Sequence, residues 1–436
     1  MRILSSDIAV HVGERIRVEG WLHKKRLMGG MTFINIRDRK GVVQIIVKDK
    51  AEIEKLRGLQ IGTILVAIGD AVAEPRAPGA AELHNASLEV LVPITAEPPI
   101  EIDKPLSHRP DNLDTLFEYR PIGLRNLQET AIFKVQSAIA RAMRDYFYQQ
   151  EFTEIRTPKL LAAATEGGAE VFKIDYFGRE ATLAQSPQFY KQIMVGVFER
   201  VFEIAPVYRA EPSATTRHMT EYISIDGEMG FITIDDLKQF LSGLLNYVSE
   251  QLWRHHQADM DALRAAQPLL SKEIPSISMA EIHEKYSQAN EQSTVGEKDL
   301  RPDEERWICE YAAKELGSEA VFVTDWPAEE MKFYHKAQAQ NPEFADRFDL
   351  LFRGVEIATG SMRENDYNVV VAQLQQKAGG DPNDPGFRPL LQAMQAGMPP
   401  HGGFGMGLER VTQKFVGLSN VKEASLFPRD INRLAP

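Results

Sequence analysis

The stretch Gly-Phe-Gly-Met-Gly-Leu-Glu-Arg at residues 403–410 decides the fold when it is taken with an earlier one, Tyr-Arg-Ala-Glu at residues 208–211. Glycines let a backbone approach a flat ring or a phosphate closely, and an arginine after them can lie on a purine face or bind a phosphate with two N–H groups. In the earlier stretch, Arg209 and Glu211 occupy alternate positions, which share one face of a strand. Alone, each stretch is equally consistent with a turn or a solvated ion pair. Together they indicate a nucleotide-binding site.

The bulk composition is that of a soluble globular protein. The chain has 436 residues, 43% of them hydrophobic and 26% charged, which is enough for two or three domains. Its one cysteine, Cys309, excludes an intramolecular disulfide framework and fits a reducing cytoplasm. The apolar runs at 42–47 and 61–68 have strand length, so we expect no membrane span. Residues 1–7 lack a long apolar segment, so we expect no signal peptide.

The net charge of −12 is distributed unevenly along the chain. Residues 1–105 carry 15 lysines and arginines against 14 acids, and within residues 15–50 the count is 10 against 3. A local excess of positive charge is what a module that binds a nucleic-acid backbone requires. Composition alone is equally consistent with a solvated strand surface.

The first part of the chain is rich in short strands. Five segments with strand character and one helical segment (51–59) occur before the prolines at 98 and 99, which predicts a small closed β-barrel such as the OB-fold. The predicted strands are residues 15–22, 31–38, 42–47, 61–68 and 88–92. The exposed sheet face of an OB-fold binds oligonucleotides.

A connector and a longer mixed region follow. Residues 98–125 have prolines and little periodicity, which predicts a hinge. Residues 128–149 carry apolar side chains every three or four positions, which predicts a helix with one buried stripe, and a short strand ended by Pro158 comes next. Further on we predict a helix at 237–257 and strands at 321–323 and 348–357, while 260–290 has no clear pattern.

The two opening stretches resemble motif 2 and motif 3 of the class II aminoacyl-tRNA synthetases. Residues 215–221, Thr-Thr-Arg-His-Met-Thr-Glu, resemble the turn after motif 2 in the branch for aspartate, asparagine and lysine, and residues 426–430 resemble that branch's closing segment. The helix at 128–149 with its strand and proline is similar to motif 1. The resemblance covers nearly the whole chain, which is too short for the inserted domain of bacterial-type aspartyl enzymes and resembles the compact archaeal type.

The resemblance implies an α+β fold with two domains. Residues 1–104 would form an OB-fold anticodon-binding barrel, 105–127 a linker, and 128–436 the class II catalytic domain, an antiparallel sheet flanked by helices. Motif 1 builds the dimer interface in this family, which implies a homodimer in the cytoplasm.

The resemblance also assigns an ATP site. Arg209 would bridge the amino acid's α-carboxylate and the α-phosphate of ATP, and Arg410 would cover one face of the adenine, which makes these two the catalytic candidates. Amino-acid activation brings two anions together, so it needs positioning and cations that neutralise the phosphates. The other ATP contacts implied are Glu211 (adenine amino group), Arg217 (γ-phosphate), His218, Met219, Glu356, Gly407, Leu408 and Glu409.

Magnesium is the implied metal, since it prefers a few oxygen ligands together with phosphates. Glu356 and Thr359 stand at the family's metal positions, with Asp349 as a third candidate. Out of this context the segment would be a strand with two ion-paired acids.

Aspartate is the amino acid we expect. Lys191 and Arg363 would face its side-chain carboxylate, and Asp226 would hold Lys191 by pairing. Asparaginyl relatives usually carry a leucine and an acid at positions 191–192, and an amide would leave both cations without a partner. The remaining contacts implied are those of Ser186, Gln188, Arg209, Thr359 and Glu166, the last in a glycine-containing segment (165–170) similar to the family's mobile loop.

Three other functions were compared with aspartyl-tRNA synthesis. Asparaginyl-tRNA synthetase is disfavoured by Lys191. A paralogue that makes asparagine from ATP is disfavoured by the N-terminal barrel, which such paralogues typically lack. A non-enzymatic OB-fold protein that binds nucleic acid would not need Arg209, Arg217 and Arg410 together.

The tRNA substrates are the last expectation. Archaeal-type relatives that charge only tRNA-Asp have a tryptophan where His23 stands and a lysine where Pro78 stands. A proline removes a donor and a charge from the loop, so this chain resembles the relatives that charge both tRNA-Asp and tRNA-Asn. Such an enzyme is coupled to an amidotransferase that converts Asp-tRNA-Asn. The discriminating enzyme, which charges tRNA-Asp alone, is the alternative, because loops tolerate change.

Overall fold

The computed structural model describes residues 1–108, 112–162, 170–212 and 215–436. The predicted substrate contact Glu166 lies outside these residues. The chain divides into two compact units, 1–130 with Pro436, and 131–435. The domain bounds of 1–104, 105–127 and 128–436 stay a prediction.

The first unit contains the predicted barrel, closed in the order β1-β2-β3-β5-β4. Its strands are β1 (Arg15–Met28), β2 (Met31–Arg37), β3 (Val42–Val47), β4 (Ile64–Ala73) and β5 (Ala81–Val92). Helix α1 (Lys50–Arg57) joins β3 to β4 and is capped by the Asp49 carboxylate. Alternate residues such as Val43, Ile45 and Val47 fill the barrel interior. The OB-fold prediction is confirmed.

His23 and Pro78, the predicted tRNA-discriminating residues, occupy different environments in this unit. The pairing of β1 with β2 shifts register between Leu22 and Lys24, so His23 lies at a bulge. Its side chain is buried, and burial together with the Arg37 charge lowers its pKa to about 4, so the ring is neutral at pH 7. Pro78 is exposed and begins the 3-10 turn Pro78–Ala80 before β5.

The predicted hinge is partly helical, so the expectation of an irregular connector was wrong there. It contains α2 (Leu113–Glu118) and α3 (Arg120–Gly123), followed by α4 (Leu127–Gln149). Buried Arg120 pairs with buried Glu129 at 2.7 Å. A buried ion pair of this kind fixes its elements, because either charge alone would be costly.

The second unit is built on an eight-stranded sheet in the order β12-β13-β14-β15-β16-β11-β10-β6, with a three-stranded sheet β7-β9-β8. Its central pairs are antiparallel, as predicted, whereas β10 with β6 and β12 with β13 are parallel. The strands are β6 (Thr153–Glu154), β7 (Leu160–Leu161), β8 (Lys173–Tyr176), β9 (Arg179–Leu183), β10 (Arg200–Tyr208), β11 (Glu221–Gly230), β12 (Ser276–Ser278), β13 (Ala320–Thr324), β14 (Arg347–Phe352), β15 (Val355–Arg363) and β16 (His401–Gly407).

Helices flank this sheet, and the buried stripe predicted on α4 is present. Ile132, Val135, Ile139, Met143 and Phe147 are all buried, and Phe147 stacks on Phe202 of β10 with 4.3 Å between ring centroids. The other helices are α5 (Gln188–Phe198), α6 (Ile234–His255), α7 (Gln257–Leu263), α8 (Met279–Ala289), α9 (Pro302–Glu315), α10 (Tyr367–Ala378), α11 (Arg388–Gln395) and α12 (Leu408–Val416).

One prediction for this unit was wrong. The segment 348–357 is a hairpin, β14 and β15, rather than one strand, because Arg353 and Gly354 take positive φ values of 48° and 79° and reverse the chain. The segment 260–290, for which the sequence showed no clear pattern, includes α8, whose first turn is capped by Ser278. Within the described residues, no helix combines the length and apolar character needed to cross a membrane.

The register of the central strands brings the two opening motifs together. On β11, Ser224, Asp226 and Glu228 stand opposite Gly407, Gly405 and Gly403 of β16. On the other side of β16, Thr359 of β15 also pairs with Gly405. Polar groups from distant parts of the sequence therefore share one sheet face.

Candidate active site

A cavity of about 390 Å³ lies in the second unit, over this sheet face. Fifteen of the predicted site residues line it, namely Ser186, Gln188, Lys191, Arg209, Glu211, Arg217, His218, Met219, Asp226, Glu356, Thr359, Arg363, Gly407, Glu409 and Arg410. Asp349 and Leu408 are buried just behind this lining, Asp349 opposite Thr359 and Leu408 next to Gly407. The roles predicted for these residues remain predictions.

The motif 2 pair lies at the end of β10. Arg209 follows the strand, and its Nη1 is 3.4 Å from Oε1 of Glu211. The guanidinium carbon is 5.8 Å from the centre of the Tyr222 ring. Tyr222 was not predicted, although it sits one residue into β11, beside the motif 2 strand.

The following turn fixes a second arginine. Nη1 of Arg217 pairs with Oε2 of Glu305 at 2.8 Å, and Nη2 donates to the carbonyl of Gly354 at 3.0 Å. Burial raises the pKa of Glu305 to about 7, although Arg217 opposes the rise. The Thr215 hydroxyl is 2.6 Å from Nδ1 of His218, whose pKa burial lowers, with a further contribution from Arg410. Glu305 was missed because α9 carries many acids and nothing local distinguishes this one.

The start of α12 presents the motif 3 side chains. Arg410 donates from Nη1 to the backbone carbonyl of Glu356 at 2.8 Å. Glu409 accepts the backbone N–H of Ile223, with 3.1 Å to each carboxylate oxygen, and burial raises its pKa to about 7. Glu409 was predicted to contact ATP. In this structure its carboxylate accepts the hydrogen bond that links α12 to β11.

Glu356, Thr359 and Asp349 supply hard oxygen atoms, as magnesium requires. The Thr359 hydroxyl donates to Oε1 of Glu356 at 2.7 Å. Burial opposes ionisation of Glu356, but Arg410 and Thr359 outweigh it and lower its pKa. Asp349 is paired with Arg347 at 2.8 and 2.9 Å, and burial, with a smaller contribution from the Glu356 charge, still raises its pKa to about 6. This set fits an ion that takes most of its ligands from phosphates and water, rather than one held by protein groups alone.

A buried network of two cations and two acids forms the inner end of the cavity. Nζ of Lys191 lies 2.9 Å from Oδ1 of Asp226, the pairing predicted from the sequence, and 3.5 Å from Oε2 of Glu228. Arg363 donates two hydrogen bonds to the Glu228 carboxylate, from Nε to Oε1 at 2.8 Å and from Nη2 to Oε2 at 3.2 Å. Burial opposes the ionisation of Glu228, but Arg363 and Lys191 outweigh it and lower its pKa.

Glu228 is a partner of both cations that was not predicted. Lys191 and Arg363 were expected to lack a partner without a bound carboxylate, whereas Glu228 pairs with both. It could have been found, because it follows Asp226 by two residues on a strand and so shares its face.

The segment before β14 adds unpredicted groups to the lining, among them Lys332, Tyr334 and His335. His335 is buried, and within the described residues its Nδ1 has no hydrogen-bond partner. Burial and the charges of Arg363, Arg347, Lys332 and Lys191 hold its pKa well below the usual value.

The glycines of motif 3 make room for this network. A β-carbon at Gly403 would overlap the Glu228 carboxylate and the Gly227 carbonyl, whereas one at Gly405 would lie 3.4 Å from Oδ1 of Asp226, an ordinary contact. Gly403 is therefore needed to accommodate the Glu228 carboxylate, and the approach of a ring or a phosphate to these glycines stays a prediction.

We expect Gly403→Ala to lower the free energy of unfolding by about 1–3 kcal/mol, as overpacking of a filled core does. Gly405→Ala, on the same strand, is the matched control and should lose much less. Chemical denaturation of both variants measures the difference; equal losses would contradict the proposed overlap with Glu228.

Comparisons with known proteins agree with this architecture. Residues 112–431 match the model of the class II tRNA synthetases (D, K and N), and residues 16–91 match that of the OB-fold nucleic acid binding domain. The aspartate–tRNA(Asp/Asn) ligase of Thermus thermophilus is 41% identical, with 100% of both chains covered. The aspartate–tRNA(Asp) ligase of Pyrococcus horikoshii is 39% identical, with 97% of each covered.

A solved structure is similar over the full length as well. It is the asparaginyl-tRNA synthetase of Pyrococcus horikoshii complexed with asparaginyl-adenylate, with a TM-score of 0.91, 28% identity and 100% of both chains covered. The chain belongs to the class II tRNA synthetases of the D, K and N group, with an OB-fold domain preceding the synthetase domain.

Proposed function

We propose that this protein is an aspartyl-tRNA synthetase that charges both tRNA-Asp and tRNA-Asn. The observation that carries the choice of aspartate is that Lys191, Lys332 and Arg363 all line the same cavity. A carboxylate is stabilised there and an amide is not. The relatives at 41% and 39% identity, both aspartate–tRNA ligases, support the same choice.

In the first step, the α-carboxylate of aspartate attacks the α-phosphorus of ATP, and pyrophosphate leaves as aspartyl-adenylate forms. Arg209 would hold both anions in line, Arg217 would bind the γ-phosphate and Arg410 would cover the adenine, with Glu211 accepting from its amino group. Fixed cations aimed at the developing charge lower the barrier without reorganisation. Lys191 and Arg363 would orient the side chain of aspartate from the opposite end.

Magnesium, held by Glu356 and Thr359 with Asp349 behind them, would neutralise phosphate charge when bound. Glu356 must be ionised for this, and Arg410 and Thr359 keep its pKa low. In the second step, the 3′ adenosine hydroxyl of tRNA attacks the adenylate carbonyl, which releases AMP and leaves the aspartyl ester.

Asparaginyl-tRNA synthesis is the second candidate, favoured by the likeness to the asparaginyl enzyme complexed with its adenylate. ATP–pyrophosphate exchange with aspartate and asparagine side by side decides between them. Faster exchange with asparagine would refute the aspartyl assignment.

The remaining parts of the proposal follow from the family. We propose a homodimer formed through α4 and β6, a cytoplasmic location, and an amidotransferase downstream that acts on Asp-tRNA-Asn. Size-exclusion chromatography with light scattering tests the dimer.

We expect purified transcripts of tRNA-Asp and tRNA-Asn both to be aspartylated, because neutral His23 and exposed Pro78 offer no cation to narrow the pocket for the third anticodon base. Pro78→Lys should lower charging of tRNA-Asn relative to tRNA-Asp by about tenfold, the usual size of one base mismatch. Pro78 is the better position to change, because His23 is buried and its replacement would disturb the barrel. The control is Pro75→Lys in the same loop. An uncharged tRNA-Asn with the native enzyme would contradict the proposal.

A further inference from the structure

Helix α9, in the segment between motif 2 and motif 3, contacts a cavity-lining arginine, Arg217, through the side chain of Glu305. Oε2 of Glu305 lies 2.8 Å from Nη1 of Arg217, and both side chains are largely buried, with 14% and 20% of their surface exposed. Partly buried ion pairs are screened little by solvent, so this contact constrains the arginine far more than a surface pair would.

A second contact on the same guanidinium comes from the turn between β14 and β15. Nη2 of Arg217 donates to the Gly354 carbonyl at 3.0 Å. This turn is packed tightly on α9: a β-carbon at Gly354 would come within 2.9 Å of Cγ of Arg306. Two neighbouring elements therefore hold two of the guanidinium nitrogens in a fixed plane.

The arrangement extends to the other nucleotide-facing arginine. Nε of Arg410 donates to the backbone carbonyl of Arg217 at 3.4 Å, and Nη1 of Arg410 donates to the carbonyl of Glu356. The position of residue 217 is thus linked to the residue expected to cover the adenine.

We infer that Glu305 is a positioning residue for ATP: it holds Arg217 so that the remaining N–H groups of the guanidinium meet the γ-phosphate. The inference rests on the proposed function, through the role given to Arg217. Arginine has many rotamers, and a phosphate that must order a free side chain binds less tightly than one that meets a side chain already in place.

The alternative, that Glu305 competes with ATP for Arg217, predicts the opposite effect of its removal. The geometry favours positioning, because the guanidinium has five N–H donors and its hydrogen bond to the Gly354 carbonyl uses one of them, while Glu305 holds it as an ion pair. If Glu305 only competed with ATP for Arg217, the second contact of the same guanidinium, with the Gly354 carbonyl, would have no purpose.

The test compares Glu305→Ala with Glu310→Ala, an exposed acid on the same helix. Isothermal titration with ATP and magnesium should show about tenfold to hundredfold weaker binding in Glu305→Ala only, an effect between those of losing an exposed and a fully buried ion-pair partner. Titration with AMP, which has no γ-phosphate, should give the same affinity in both variants. Glu305→Asp should recover part of the ATP affinity.

Four outcomes are distinguishable. Equal weakening for ATP and AMP would mean that Glu305 only supports the fold, and tighter ATP binding would mean that it competes; either overturns the inference. If Glu305→Ala does not fold, Glu305→Gln, which keeps the shape and loses the charge, is titrated in the same way. If the ATP-specific loss is found but pyrophosphate exchange with aspartate is absent, the positioning role stands and the proposed function fails.

Discussion

Replacing Arg209 by alanine is expected to lower magnesium-dependent ATP–pyrophosphate exchange with L-aspartate by at least about 10³-fold, a loss of about 4 kcal/mol in transition-state stabilisation. Arg209 lines the same cavity as Lys191, which is proposed to face aspartate, and Arg217, which is proposed to face the γ-phosphate. Without it, two anions would have to approach each other with no charge between them.

The exchange assay separates this role from a general loss of structure. Arg179→Ala, which removes an exposed arginine of β9 outside the cavity lining, is the matched control and should keep full activity. Glu356→Ala should lose exchange as well, because it removes the carboxylate proposed to hold magnesium, and chelation of the metal should stop the native enzyme. Full exchange in Arg209→Ala would refute its assignment as the bridging residue of motif 2.

The sequence predicted those features that local pattern determines. The stripe on α4 and the alternation in β1 to β3 follow from the periods of helix and strand, and they gave the barrel and the core correctly. Lys191 and Asp226 were paired correctly because the family resemblance supplied the partner. The function followed from motifs whose chemistry is tied to particular residue types.

What the sequence did not predict depends on contacts between distant segments. Glu305 lies 88 residues after Arg217, and nothing in the acidic pattern of α9 distinguishes it from Glu304 or Glu310. The segment 348–357, which contains the turn at Arg353–Gly354, was predicted to be one strand because apolar residues flank the turn on both sides. The packing role of Gly403 was not predicted, since the group that it accommodates, the Glu228 carboxylate, comes from another strand.

The second large effect concerns the choice of amino acid: Arg363→Leu is expected to weaken aspartate activation by about 2–5 kcal/mol in kcat/KM. The side chain of Arg363 provides two of the contacts of Glu228. Its removal leaves that acid fully buried, with Lys191 at 3.5 Å as its remaining ion-pair partner in the described part of the chain, and lowers the electrostatic potential near the proposed aspartate side chain. Native enzyme should activate asparagine very poorly, and the variant should discriminate less between the two.

Part of that loss comes from leaving the buried Glu228 carboxylate without its Arg363 partner, and part from weaker recognition of the substrate. A double-mutant cycle separates the two contributions. Glu228→Gln with Arg363→Leu removes both charges of the pair, so the stability lost in Arg363→Leu alone should largely return. Aspartate activation should stay low in the double variant, because the cation that faces the substrate is still missing. If the double variant regains native aspartate activation, then Arg363 serves only to neutralise Glu228, and the selection of aspartate must come from Lys191, Lys332 and the neutral His335 instead.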